Sequence, residues 1–168
     1  LSGDINKDKK VDENDLTSYL NYNGLRKGDS DFDYVSIGDV NENGRIDAAD
    51  ISVAATRIGD GVYELMVRSM LCAQGGQTLK RLHHASVALV KAPAQAKFAQ
   101  KLLPHLTQEE QSYYRRGKNA HTHAAPKSAS RAQYAKATGL EALFGALYLL
   151  GRTERLNELF AIMMKEDA

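Results

Sequence analysis

The 168-residue chain has a single cysteine, so no disulfide can close within it; Cys72 falls in an apolar helical stretch and reads as a small core residue. No apolar run approaches the ~20 residues that a membrane-spanning helix needs. No segment alternates apolar and polar residues with the period of a strand. The start lacks a charged segment followed by an apolar one. It begins at Leu1 rather than Met and reads as the cut end of something longer. These absences leave a soluble, all-α chain of one domain or two small ones.

The net charge of +1 hides an asymmetry. Residues 1–58 carry 12 acidic against 7 basic side chains, whereas residues 59–168 carry 9 against 15 and all five histidines. Cations suit the first part and a polyanion the second.

The acidic part contains an internal repeat. Gly3-Asp4-Ile5-Asn6-Lys7-Asp8-Lys9-Lys10-Val11-Asp12-Glu13-Asn14-Asp15-Leu16 aligns with Gly38-Asp39-Val40-Asn41-Glu42-Asn43-Gly44-Arg45-Ile46-Asp47-Ala48-Ala49-Asp50-Ile51. Both copies place oxygen side chains at positions 1, 3, 5, 9 and 12 of a twelve-residue loop, the spacing that wraps a hard cation such as Ca²⁺. The first loop offers Asp4, Asn6, Asp8, the Lys10 carbonyl, Asp12 and Asp15. The second offers Asp39, Asn41, Asn43, the Arg45 carbonyl, Asp47 and Asp50. Gly44 suits the sharp turn at position 6, where Lys9 stands in the first copy at a cost in backbone strain. Val11 and Ile46, at position 8, are expected to pair the loops through a short strand. Asn21 to Ser36 reads as a polar connector.

Each loop precedes one helix, and position 12 is Asp in both. The arrangement resembles dockerin modules, paired EF-hand-like loop–helix units. The resemblance spans roughly Gly3 to Ile58 and implies two structural Ca²⁺ ions and a cohesin-type protein partner. Dockerins choose that partner partly at loop positions 10 and 11. Here these are Glu13-Asn14 and Ala48-Ala49, so the two copies are not interchangeable.

The basic part reads as helical throughout. Its first helix, through Asp60, ends at Gly75-Gly76; a second runs from Thr78 to Val90, and a third from Pro93 to near Pro104. Thr107-Gln108-Glu109-Glu110 is a capping box opening a fourth helix, expected to close at Gly117. A fifth runs from Ala132 to Leu150 and a last from Thr153 to Met164. Asp60 and Glu141 are acids set into otherwise apolar helical runs, Ile58 to Val67 and Thr138 to Leu150. Burying such carboxylates is costly unless they form ion pairs or share a cation. We expect both to be partly buried and to face one another across a metal site. Tyr113 to Arg131 holds no acid; Arg115, Arg116, Lys118, Asn119, Lys127 and Arg131 make it a phosphate-tracking segment. His121 and His123 lack a nearby third ligand for a transition metal.

Ile58-Gly59-Asp60-Gly61-Val62-Tyr63-Glu64-Leu65 resembles the ribonuclease III signature in its mini form. The likeness continues through Leu82-His83, Ser86, Val90, Ala92, Gln95-Ala96, Arg116-Gly117-Lys118-Asn119-Ala120, Pro126-Lys127 and Thr138 to Gly145, covering residues 58–168. It implies a homodimeric, Mg²⁺-dependent endonuclease of double-stranded RNA, of the kind that trims ribosomal RNA precursors, with Asp60 and Glu141 holding the metal. Full-length relatives carry further acids where this chain has Val53, Thr56 and Thr138, so water and RNA phosphate are expected to complete the metal shell. Glu64 is expected to pair with Arg68, and His83 to pack between helices. Gly61 replaces a usual Ala. The lead-in helix of the ribonuclease is replaced by Ile51 to Arg57, which belongs by pattern to the second dockerin-like helix.

The expectation is therefore an all-α chimera: a dockerin-like calcium module over residues 1–58 and a ribonuclease III-type helical domain over residues 59–168. The alternative is an anchoring protein that binds calcium and a cohesin and whose ribonuclease half is inactive. The two halves imply different compartments, cytoplasmic for the ribonuclease and extracellular for the dockerin-like module, with no membrane partner for either.

Overall fold

The computed structural model describes residues 4–10, 13–40, 42–76, 78–120 and 129–165. Val11, Asp12, Asn41, His121, His123 and Lys127 lie outside them. The described chain is all-α: α1 (Glu13–Asn21), α2 (Phe32–Val35), α3 (Ala48–Ala73), α4 (Leu79–Val90), α5 (Ala92–Leu102), α6 (Gln108–Asn119), α7 (Arg131–Leu149) and α8 (Thr153–Met164).

The two acidic loops share one backbone course. Position 4 is left-handed in both (Lys7 φ 61°, Glu42 φ 59°), and so is position 6 (Lys9 φ 71°, Gly44 φ 79°). Lys9 therefore adopts the conformation its glycine counterpart adopts without strain. The side chains at position 1 accept from the position-6 amides, Lys9 N to Asp4 at 3.0 Å and Gly44 N to Asp39 at 2.8 Å. Position 5 accepts from position 7 in each loop, at 2.8 Å for Lys10 N to Asp8 and 2.9 Å for Arg45 N to Asn43.

Beneath the loops lies a small core of Ile5, Tyr19, Phe32, Val35, Val40, Ile46 and Ala54. Two expectations are corrected here. Ile46 pairs with the connector, donating its N–H to Leu25 O at 2.9 Å and accepting at its carbonyl from Gly24 N at 2.7 Å. The connector is also more than polar linkage, because α2 inserts Phe32 and Val35 into the core.

Helix α3 joins this unit to the rest without a break. Asp47 caps it by accepting from Ala49 N at 2.8 Å, and Asp50 closes the capping box on Asp47 N at 2.8 Å. Its first turns direct Ala54 into the small core, with Ile51 and Val53 packed against it. Farther on, Tyr63, Val67 and Leu71, at i, i+4 and i+8, enter the larger core with Leu102, Leu140, Leu143, Phe144, Leu147, Leu156 and Leu159. Gly75 and Gly76, both at positive φ, follow its end. Cys72 is exposed on this helix rather than buried, and His83 on α4 is exposed rather than packed.

Helix α7 is apolar almost all round and is accordingly central, packed on α3, α5 and α6. Glycines let the backbones close up. A Cβ on Gly145 would lie 1.8 Å from Ala55 O, and one on Gly59 1.8 Å from Glu141 O. Gly117 likewise faces Ala142 and Thr138 O, while Gly139 faces the Tyr114 ring. Gly117 thus does not end α6, which continues to Asn119; it is a close-packing residue. Pinning the far end, Arg155 donates to the buried Glu110 through Nε at 2.8 Å and Nη2 at 2.9 Å.

Candidate metal site and its basic flank

The crossing of α3 and α7 at Gly59 and Gly145 brings together the helix turns that carry Asp60 and Glu141, with Gly59 lying against the Glu141 carbonyl. Their charges interact: burial first, and then the Asp60 carboxylate, push Glu141 up to about 7. Asp60 is also held above the usual carboxylate range, by partial burial and by the Glu64 carboxylate. Glu141 is half-buried as expected, but Asp60 is solvent-exposed as a residue. Glu64 accepts from Arg68 Nε at 2.8 Å, the expected i,i+4 pair.

A buried amide reaches this pair from a third helix. Gln95 on α5 is 2% exposed, and its Nε2 donates to Glu141 Oε1 at 3.0 Å and to Val90 O at 2.9 Å. The neighbouring carbonyl at the end of α4, Leu89 O, accepts from Tyr63 Oη at 3.1 Å. Side chains of α3 and α5 thereby satisfy carbonyls that the end of α4 leaves without helical partners. Gln95 was not singled out from the sequence as a functional residue. The signal was present: it shares the buried stripe of α5 with Ala99 and Leu102, at i, i+4 and i+7, where a polar side chain is out of place.

Among the described residues no cluster of three or more acidic, histidine or cysteine side chains could hold a metal. The donor set here is two carboxylates. Hard oxygen ligands, one of them raised by the charge of the other, suit a divalent cation that keeps several waters, as Mg²⁺ does. Neither threonine at a place of the missing acids is turned to that task. Thr56 Oγ1 donates to Ser52 O at 2.8 Å and Thr138 Oγ1 to Tyr134 O at 3.0 Å, each along its own helix.

The basic residues fall at the end of α6 and the start of α7. Arg115, Arg116, Lys118, Asn119 and Arg131 are exposed. The Gly117 contact with Thr138 and Ala142 holds that end of α6 against the turn of α7 that carries Glu141. In the N-terminal unit, Asp15, Asp39 and Asp50 all act on the buried Tyr19, whose hydroxyl is pushed up by burial and by these carboxylates. Acids of both loops therefore act on one residue, and Asp4, Asp15 and Asp50 are buried.

The family model for the ribonuclease III domain matches residues 56–152, and that for the dockerin type I domain residues 2–58. The matches meet inside α3. Mini-ribonuclease 3 of Symbiobacterium thermophilum is 48% identical over 101 residues, which cover 60% of this chain and 78% of that protein. Mini-ribonuclease 3 of a Thermoanaerobacter species is 40% identical over 108 residues, covering 64% and 76%. A crystal structure of a Fusobacterium nucleatum protein superposes with a TM-score of 0.62 at 29% identity, covering 67% of this chain and 90% of that one.

Proposed function

This chain belongs to the ribonuclease III family of endoribonucleases, and from that premise we propose that it cleaves double-stranded RNA in a Mg²⁺-dependent reaction at Asp60 and Glu141. What supports the proposal is that two acids stand on turns of two helices whose backbones glycines let touch, with the Asp60 charge among the causes that raise Glu141. When bound, a divalent ion supplies Lewis-acid polarisation of a phosphoryl oxygen and a water of lowered pKa. The protein's part is to hold two ligand oxygens on rigid helices and to leave the remaining positions to water and RNA phosphate. Arg115, Arg116, Lys118, Asn119, Lys127 and Arg131 would track the duplex backbone without reading its sequence. The substrate class that fits the mini-form resemblance is ribosomal RNA precursor.

The active species in this reading is a homodimer. Leu65, 65% exposed, and Cys72, seven residues on, lie on the outer side of α3, and Asp60 is exposed on the same helix. A second copy covering Leu65 and Cys72 would extend the surface around Asp60. The N-terminal unit would bind two Ca²⁺ ions and present a face to a cohesin-type protein. The alternative, an anchoring protein with a dead ribonuclease half, supposes that replacing the lead-in helix spoils the core. The contact of Ala55 with Gly145 speaks against that, because residues from the replaced stretch still seat α7.

The test is cleavage of a long RNA duplex with Mg²⁺ and with EDTA. Asp60→Asn and Glu141→Gln should each abolish Mg²⁺-dependent cleavage while leaving helix content and duplex binding in place. Cleavage that survives either substitution would refute the assignment.

A further inference from the structure

Gln95 contacts both the candidate site and the frame around it, yet as a purely structural residue it is a poor choice. It lies 2% exposed in the apolar layer between α5 and α7, and its Oε1 is buried with no hydrogen-bond partner among the described residues. A buried acceptor left unsatisfied is costly, and an apolar side chain of the same length would remove that cost. Its other end, however, is fully used. Nε2 carries two N–H groups, and two acceptors meet them, Val90 O at 2.9 Å and Glu141 Oε1 at 3.0 Å.

Those partners fix which way the amide faces. A backbone carbonyl can only accept, so the nitrogen must face Val90 O, and its second N–H then meets Glu141 Oε1. Val90 is the last residue of α4 and Lys91 the single link to α5, which opens with Pro93 in its first turn. The amide is therefore held by a short, rigid corner, and it holds one oxygen of Glu141 in turn. With Oε1 of Glu141 engaged by Gln95, the carboxylate cannot rotate freely, and Oε2 remains for another ligand.

We infer that Gln95 is the positioning residue of the metal site, fixing the rotamer of Glu141 so that one carboxylate oxygen is presented beside Asp60. The inference rests on the reading of Asp60 and Glu141 as the metal-holding pair. It predicts that Gln95 acts on metal affinity and not on the overall stability of the fold. Outer partners of metal-bound carboxylates typically contribute roughly 10–100-fold in metal affinity.

The experiment compares the parent chain with Gln95→Met, similar in length and unable to donate, both in calcium-saturated buffer. Mg²⁺ binding is followed by calorimetry with Glu141→Gln as the blank, and the Mg²⁺ dependence of duplex cleavage is measured alongside. Gln95→Met should melt within a few degrees of the parent. Its Mg²⁺ affinity should fall about tenfold or more, and the Mg²⁺ concentration for half-maximal cleavage should rise by the same factor. Unchanged Mg²⁺ affinity and an unchanged half-point in the folded variant would overturn the inference. If Gln95→Met fails to fold, the side-chain amide resonance of Gln95 in the parent decides instead. It should shift along an Mg²⁺ titration with the midpoint seen for cleavage, and stay still in Glu141→Gln; an unresponsive amide in the parent overturns the inference. Failure of the underlying pair looks different, because Glu141→Gln would then keep its Mg²⁺-dependent cleavage.

Discussion

Gly145 stands so close to Ala55 that a methyl group on it would lie 1.8 Å from the Ala55 carbonyl oxygen, inside any real contact. Backbone cannot yield as a side-chain tip can. Gly145→Ala should therefore force α3 and α7 apart, destabilise by about 3 kcal/mol and abolish cleavage. Gly61, two residues past Gly59, has nothing within 4 Å of where its Cβ would be. Gly61→Ala should stabilise α3 by up to about 1 kcal/mol. Denaturant melts of both variants check the pair of predictions, and equal effects would show that the crossing is not the tight point.

Glu110 and Arg155 give the ribonuclease half an acid-sensitive fastening. The Arg155 guanidinium, together with the Thr107 amide at 2.8 Å, holds the buried Glu110 carboxyl below its ordinary value. A carboxyl whose pKa is lower in the folded state stabilises fully above its unfolded value and less as pH falls through the folded one. The parent should thus lose stability from roughly pH 4 downward, and Glu110→Gln should show a flatter acid limb. Arg155→Met leaves an uncompensated buried charge and should cost about 3–5 kcal/mol at neutral pH. Acid titration of the melting temperature reads both.

In the first acidic loop, Lys9 holds φ at 71° without the freedom of the glycine at its counterpart. Lys9→Gly should relieve on the order of 1 kcal/mol of strain and tighten Ca²⁺ binding at that loop by several-fold. Calorimetric titration would show the weaker of two binding heats moving toward the stronger. One unchanged isotherm would mean that position 6 does not limit the site.

Chelating calcium should act mainly on the N-terminal unit, whose described core is small and lies directly beneath the two acidic loops. We expect EGTA to melt α1 and to fray α3 back toward Ala55. Circular dichroism that ignores EGTA would contradict this.

Removing Arg115 and Lys118 together as glutamines should weaken duplex binding equally across sequences. The slope of log affinity against log salt should fall by about 0.9 for each phosphate that the variant no longer neutralises. Binding measured at several salt concentrations checks it, and an unaltered slope would make the end of α6 a merely solvated face.

Much of this is legible in the sequence, for identifiable reasons. The two acidic loops repeat in register, and both are left-handed at positions 4 and 6. Capping boxes at Thr107 and Asp47 announce their helices by local chemistry alone. What is not legible depends on neighbours distant in sequence. Gly117 has the local signature of a helix end, and only the presence of Ala142 2.2 Å from its virtual Cβ makes it an interior contact residue. Cys72 is apolar enough for a core, but the phase of Tyr63, Val67 and Leu71 turns it outward. Gln95 breaks an apolar stripe that the sequence displays, but what it meets there is set only when α5 is laid on α7.

Helix α3 runs unbroken from the second acidic loop to Asp60, so the two parts of the chain are joined by an axle rather than a string. At about 1.5 Å of rise and 100° of turn per residue, the thirteen steps from Asp47 to Asp60 set a span of roughly 20 Å and a definite bearing. Anything that grips the acidic end would thus aim the other end as well. One residue inserted near Ser52 would swing that bearing by about 100°, far more than it would lengthen the span.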